Sequence, residues 1–247
     1  MKLELFFVIL AAAILVVPAN LCATDDPSSR IQAFIEAHEK KLSAFGEKMQ
    51  SASREDQRAI YQNEYPDPTA AAFAITEIVK AHPGDAASLD GIVWILRYSR
   101  GGKIDPQIID VLEEHHLNKE KMVEVAASLM RVPTPEARAL LKKASEKSEI
   151  KDVRGMAIYA LAMGIERDTS KSEEYTALIE RLINDHQDLE IRGRNIAKSA
   201  EGKLFAAKNL GIGKQAPEIV GKDVDGNEMK LSDYLGKVVV IDFWGDW

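Results

Sequence analysis

A carboxylate and three aromatic side chains crowd the last residues of the chain: Asp242, Phe243, Trp244 and Trp247. They follow an apolar run, Val-Val-Val-Ile at 238–241. A run so rich in β-branched residues fits a central strand covered on both faces. Ligand-binding and catalytic groups gather beyond the carboxyl ends of such strands. A carboxylate there can accept a proton, or it can simply cap a neighbouring backbone group. The aromatics can line a site, or they can be ordinary core.

Other residues suggest chemistry less firmly. Glu113-Glu114-His115-His116 resembles a metal motif, but a zinc helix needs histidines at i and i+4. Adjacent histidines point about 100° apart on a helix, and no other His or Cys has a useful spacing. The expectation is a helix end with histidines near its negative pole. His82 and His186 stand near helix ends in the same way. Glu36-Ala37-His38-Glu39 reads as a surface turn of an amphipathic helix. Gly211-Ile212-Gly213-Lys214 lacks the preceding strand and the spacing of a phosphate loop. Lys40-Lys41 and Lys142-Lys143 are helix faces balanced by nearby Glu. No metal or cofactor is expected.

The elements that must position these residues are mostly helices. Residues 28–208 carry no strand signal of any length; helical stretches alternate with Pro, Gly and Asp/Ser breaks. The first spans 28–50, with Ile31, Phe34, Ile35, His38 and Leu42 on one face. After the break at Tyr65-Pro66-Asp67-Pro68, Thr69 caps a helix to Ala81 packed by Phe73, Ile75, Ile78 and Val79. Asp85 opens the next, to Arg100, with Leu89, Ile92, Val93, Trp94 and Leu96 inside. Asp105-Pro106 starts a helix to His116, and Asn118 caps one to Arg131. Thr134-Pro135-Glu136 opens another, to Lys147. Stretches at 150–164, 172–186 and 192–210 bring the total to about nine. Each is too short to be stable alone, so stacked antiparallel pairs sharing one apolar core are expected. Val153-Arg154-Gly155-Met156-Ala157 and the small residues after it allow close helix approach. No clean tetratricopeptide signature is present, so the expectation is an irregular α-α array.

Beyond the helices, Asp225-Gly226 between the short β segments 218–223 and 228–231 is a hairpin signal. Leu231-Ser232-Asp233 sets up a short capped turn that Gly236 closes. Gly213-Lys214, Ala216-Pro217-Glu218-Ile219, Asp223, Asp225-Gly226, Leu231-Ser232-Asp233-Tyr234 and Gly236-Lys237 precede Asp242-Phe243-Trp244-Gly245-Asp246-Trp247 in order. In that order they resemble the redoxin branch of the thioredoxin-like family, over the first quarter to third of such a domain. The resemblance implies a Cys-x-x-Cys directly after Trp247, at a helix N-terminus where the dipole favours the thiolate and a second cysteine can resolve a mixed disulfide. It implies that Asp242 handles the proton of the inner cysteine, and that Phe243, Trp244 and Trp247 surround the dithiol. Lys222 departs from the pattern: reductases of this branch often carry glutamate there, so a reductant tuned for cytochrome maturation is not implied. Peroxidase relatives, with one peroxidatic cysteine, fit less well. The chain as it stands holds no redox cysteines and is expected to be inactive in that role, a fragment of the redoxin type.

The chain's one cysteine, Cys22, lies in an N-terminal segment where Lys2 precedes an uncharged run at 5–17 and a small-residue exit. Residues 1–23 therefore read as a signal peptide, with a core short for a membrane span. Val17-Pro18-Ala19 and Leu21-Cys22-Ala23 offer cleavage sites, and Ala19-Asn20-Leu21-Cys22 makes a poor lipobox for an anchor at Cys22. A periplasmic or cell-envelope location in a bacterium is expected. The 247 residues are 46% apolar and 29% charged, too hydrophobic for general disorder. A net charge of −7 and pI of about 5.4 argue against nucleic acid as a partner.

The expected architecture is thus mostly α: a helical domain over 24–208, then the first hairpin and strand of a thioredoxin-like α/β domain over 211–247. Expected partners are protein thiols or disulfides for an intact redoxin domain, and a protein for the helical array. The rival reading makes the array a protein- or envelope-binding module and the redoxin segment a vestige. The terminal strand is expected to lack neighbours in this chain and to be poorly ordered or associated with another chain.

Overall fold

The structure, a computed structural model, describes residues 26–98 and 104–242. The expected signal segment 1–23, Cys22, Phe243, Trp244 and Trp247 lie outside the described residues. About two-thirds of the described residues are helical, and the two small sheets among them have two strands each. The chain divides into two units between Gly164 and Ile165.

The first unit starts with α1 (Pro27–Ser51). Asp26 caps it, its carboxylate accepting from the Ser28 and Ser29 N–H groups, and Pro27 takes the first turn, where a missing N–H costs nothing. α2 (Arg54–Glu64) was not legible as a helix: it is strongly polar, and none of its residues is buried. Ser53 caps it by accepting from the Asp56 N–H, and rings of Phe45, Tyr61 and Tyr65 hold it against α1. α3 (Thr69–Ala81) buries Ile75, Ile78 and Val79, whereas Phe73 is 69% exposed rather than packed inside. Asp67, not Thr69, supplies the start signal of α3, accepting from the Thr69 N–H and hydroxyl.

α4 (Ala86–Tyr98) is the centre of this unit. Nearly all of it is buried, from Ala87 to Leu96, with only Asp90 in that stretch exposed. Such an all-round apolar helix must be enclosed by others, and α1, α3 and α6 pack on it. Gly91 makes the closest approach possible: a Cβ there would meet Ile75 Cγ2 of α3 at 2.6 Å and Ile31 of α1 at 3.4 Å.

α5 (Pro106–Val111), capped by Asp105, runs into a π-helical turn, Leu112–His116. α6 (Met122–Leu129), α7 (Pro135–Lys147) and α8 (Lys151–Met163) pack together. The small buried residues Gly155, Ala157, Ala160 and Ala162 lie on α8, as close helix packing requires. Asn118 does not cap α6; its side-chain oxygen instead accepts from the Glu149 N–H ahead of α8. A short side chain can satisfy a distant orphan amide as well as a local one, and sequence spacing does not reveal which.

The second unit pairs α9 (Ser172–Asp185) with α10 (Ile196–Asn209) around Tyr175, Ile179, Leu182, Ala197 and Ala200. Between them β1 (Glu190–Ile191) and β2 (Arg194–Asn195) make a small hairpin within the stretch expected to be wholly helical. Its turn residues Arg192 and Gly193 have φ of 51° and 73°, the left-handed pair a tight primed turn needs. The unit ends with β3 (Val220–Lys222) antiparallel to β4 (Glu228–Lys230), in the register Val220↔Lys230. A 3₁₀ turn follows at Leu231–Tyr234.

Candidate functional site

The hairpin is built from the side chains of the redoxin-like pattern. Asp223 folds the turn: its carboxylate accepts from the Asp225 N–H at 2.9 Å, the Asn227 N–H at 2.8 Å and the Asn227 amide at 3.1 Å. Gly226, at φ 85°, donates its N–H to the Asp223 carbonyl. Hydrogen bonds from Asn227, side chain first and then backbone, hold the Asp223 carboxyl below the usual carboxylate range.

Glu218 ties the start of the hairpin to its end. One carboxylate oxygen accepts from the Ser232 N–H at 3.0 Å and the Ile219 N–H at 3.2 Å. Bonding from Ser232, side chain and backbone, lowers its carboxyl below the ordinary value. Leu231 N–H reaches the Ile219 carbonyl at 2.9 Å beside this clasp. Asp233 accepts from the Lys230 N–H at 2.9 Å and so seats the short turn. Gly236, at φ 85°, then redirects the chain, and the Lys237 N–H closes on the Tyr234 carbonyl.

Residues 238–242 take no regular secondary structure, so the central strand expected over 238–243 is not formed among the described residues. A strand needs ladder partners for its backbone groups, and none pairs with this run. Exposure alternates along it, from 97% at Val238 to 43% at Val239, 91% at Val240 and 47% at Ile241. That period of two is the imprint of a strand sequence without a sheet. Asp242 is exposed at its end. Its expected aromatic companions Phe243, Trp244 and Trp247 lie outside the described residues. Lys222, the departure from the family pattern, stands in β3 opposite Glu228.

The histidines behave differently from the expectation in two places. His38 is 3% exposed and belongs to the core rather than to a surface turn. It faces Trp94 and Tyr98 edge-on, with centroids 5.3 and 5.2 Å away. His116 is 1% exposed, and its Nε2 stands 2.7 Å from the Pro83 carbonyl. A carbonyl can only accept, so Nε2 carries the proton. Burial, first among the causes, pushes the pKa of both rings down; His116 is therefore a neutral donor and not a cation on the helix dipole. His82 and His186 stand at the C-caps of α3 and α9, as expected. Among the described residues no group of three or more His, Cys, Asp or Glu side chains is placed to hold a metal ion. No described helix is long and apolar enough to cross a membrane.

Glu218 is the residue whose anchoring role sequence reasoning missed. Its partner Ser232 lies 14 positions away, beyond the reach of any local pattern. Asp223 was open to recognition, because an aspartate two residues before Asp-Gly commonly folds the turn through its own side chain.

Comparison with known proteins gives a partial match. The chain is similar to the thiol-disulfide oxidoreductase ResA of Bacillus thuringiensis subsp. konkukian (strain 97-27), 38% identical over 47 residues, which is 19% of this chain and 27% of the relative. The ResA of Geobacillus kaustophilus (strain HTA426) is 47% identical over 38 residues, 15% of this chain and 22% of the relative. That of Bacillus subtilis (strain 168) is 42% identical over 45 residues, 18% and 25% of the two chains. The chain thus spans about a quarter of the length of the curated relatives it matches. No family model matches it, and no solved structure does. The similarity to thiol-disulfide oxidoreductases, short as it is, supports a thioredoxin-like redoxin relationship for this chain.

Proposed function

We propose that the chain belongs to an exported thiol–disulfide oxidoreductase of the thioredoxin-like type, in which a helical array precedes the redoxin domain. The observation that carries the reading is one ordered set of residues, from Gly211 to Asp242, that both matches the family pattern and builds a hairpin of its own. Asp223, Gly226, Asp233 and Gly236 each have a structural task there. The short similarity to thiol-disulfide oxidoreductases supports the same chemistry.

In this reading the attacking thiolate and its resolving partner follow Trp247, and Asp242 takes the proton of the inner thiol. Protein thiols or disulfides are the substrates, and residues 1–23 direct export. The residues present before a dithiol are inert without it, since exchange proceeds by thiolate attack on a disulfide sulfur.

A second reading, a protein-binding helical module with a vestigial redoxin segment, is favoured by the apolar rings left exposed on the first unit, Tyr61 of α2 and Phe73 of α3. The gene decides between the two. Codons after 247 that read Cys-x-x-Cys in frame support the oxidoreductase, and a mature envelope protein starting at Thr24 supports export. A reading frame that continues without a dithiol overturns the first reading in favour of the second.

A further inference from the structure

We propose that the first helical unit is an acid-sensitive clamp in which two buried histidines, His38 and His116, hold the two ends of α4 only while both rings are uncharged. The proposal is independent of the redox reading and rests on the geometry around α4.

His116 acts at the start of α4. The π-helical turn carries its ring beneath the loop between α3 and α4, where Nε2–H donates to the Pro83 carbonyl at 2.7 Å, three residues before Ala86. The other nitrogen, Nδ1, is buried and has no hydrogen-bond partner. In the neutral ring this nitrogen is an unprotonated acceptor, which costs less to bury unpaired than a charged donor does. Protonation would turn it into a charged N–H with nothing to donate to, in a site closed to water.

His38 acts at the other end. Its ring, on α1, packs edge-on against Trp94 and Tyr98 in the last half of α4. His38 Nε2 is buried without a partner, and so is Trp94 Nε1. The indole N–H is itself a donor, so it cannot receive a proton from an imidazolium. Each ring thus has one buried nitrogen, His38 Nε2 and His116 Nδ1, that has no hydrogen-bond partner.

The neighbouring charges do not reverse this. Lys41 on α1 opposes a charged His38, while Glu39 and Asp67 favour it more weakly than burial disfavours it. α4 presents aromatic rings to His38, and its exposed Asp90 is paired with Lys121. Around His116, burial outweighs the bond to the Pro83 carbonyl, which favours a charged ring; His115 and Lys119 oppose a charge and Asp85 favours it. Among the groups packed near that turn, Lys143 of α7 is engaged by Glu113, and Lys80 of α3 by Glu77 and Asp105.

The direction follows from linkage. Both folded-state values lie below the ordinary histidine value of 6.5. The unfolded chain therefore takes up protons first as pH falls below 6.5, and stability present above that value is lost toward the folded values. The capping carboxylates Asp26, Asp67 and Asp105 are held below 3.8, so their acid loss comes at lower pH and stays separable.

The test uses the full chain. Histidine ring titration by NMR between pH 8 and 4.5 is expected to show His38 and His116 neutral below the ordinary midpoint. Urea unfolding is expected to show a several-fold loss of the folding equilibrium constant between pH 7.5 and 5. His38→Phe keeps the aromatic packing and His116→Gln keeps a donor for Pro83; together they are expected to flatten that pH slope. Either ring titrating at or above its ordinary value in the folded protein overturns the proposal. So does a doubly substituted chain with the parent's slope. If the double variant fails to fold, ring titration of the parent still decides.

Discussion

Glu218 and Asp223 show what a single carboxylate does on an exposed hairpin. Each accepts two or more N–H groups that would otherwise bond to water, and each is held below its ordinary value by hydrogen bonds. For both, the contribution is present above the ordinary carboxylate values, 4.5 and 3.8, and is lost as pH falls through the lower folded values. Glu218→Ala is expected to speed amide exchange at Ser232 and Ile219, while Glu218→Gln, which keeps an acceptor, restores part of the protection. Unchanged exchange in the alanine variant would remove the clasp from the account. The histidines mark the limit of sequence reading at this scale. His38 lies on the apolar stripe with Ile31 and Phe34, which pointed inward, yet its charged neighbours Glu36 and Glu39 pointed outward. Packing against Trp94 decided the matter, and that contact joins residues far apart in the chain.

At the scale of elements, what was legible is what short-range physics controls. Pro after Asp or Thr marked the starts of α5 and α7, and Asp-Gly marked the β3–β4 turn. α2 escaped because its stability comes from Ser53 and three aromatic rings rather than from a buried stripe. The run 238–241 has the composition of a strand, but a strand exists only with partners, so composition alone overstated it. Gly91 in α4 offers a sharper test of helix packing. Alanine is the better helix former by about 1 kcal/mol, but its Cβ would stand 2.6 Å from Ile75 Cγ2, a stiff β-branched side chain. Overpacking of a filled core costs about 1–3 kcal/mol. The clash is expected to win, leaving Gly91→Ala less stable by about 1 kcal/mol in urea unfolding. A stabilised variant would mean that α1, α3 and α4 have slack at their crossing.

Across the whole molecule, burial is distributed very unevenly. The first unit encloses most of α4, from Ala87 to Leu96 apart from Asp90, and α9 with α10 share a smaller core, whereas described apolar side chains such as Ile212, Val224, Leu235, Val238 and Val240 are exposed. Backbone bonds in that last stretch are local turns and one short ladder. Opening free energy follows buried contacts and shielded hydrogen bonds, so protection in the full chain should fall in steps. Amides of α4 and α8 are expected to exchange only through unfolding of the first unit. Amides of α9 and α10 should exchange sooner, and those of 218–237 fastest, within the range of local opening. A monomer in which residues 238–242 are as protected as α4 would contradict this order, because the backbone of that run has no ladder partner among the described residues. Protection that appears only as concentration rises would instead show the run pairing between chains, as an exposed apolar strand sequence does when it meets another edge.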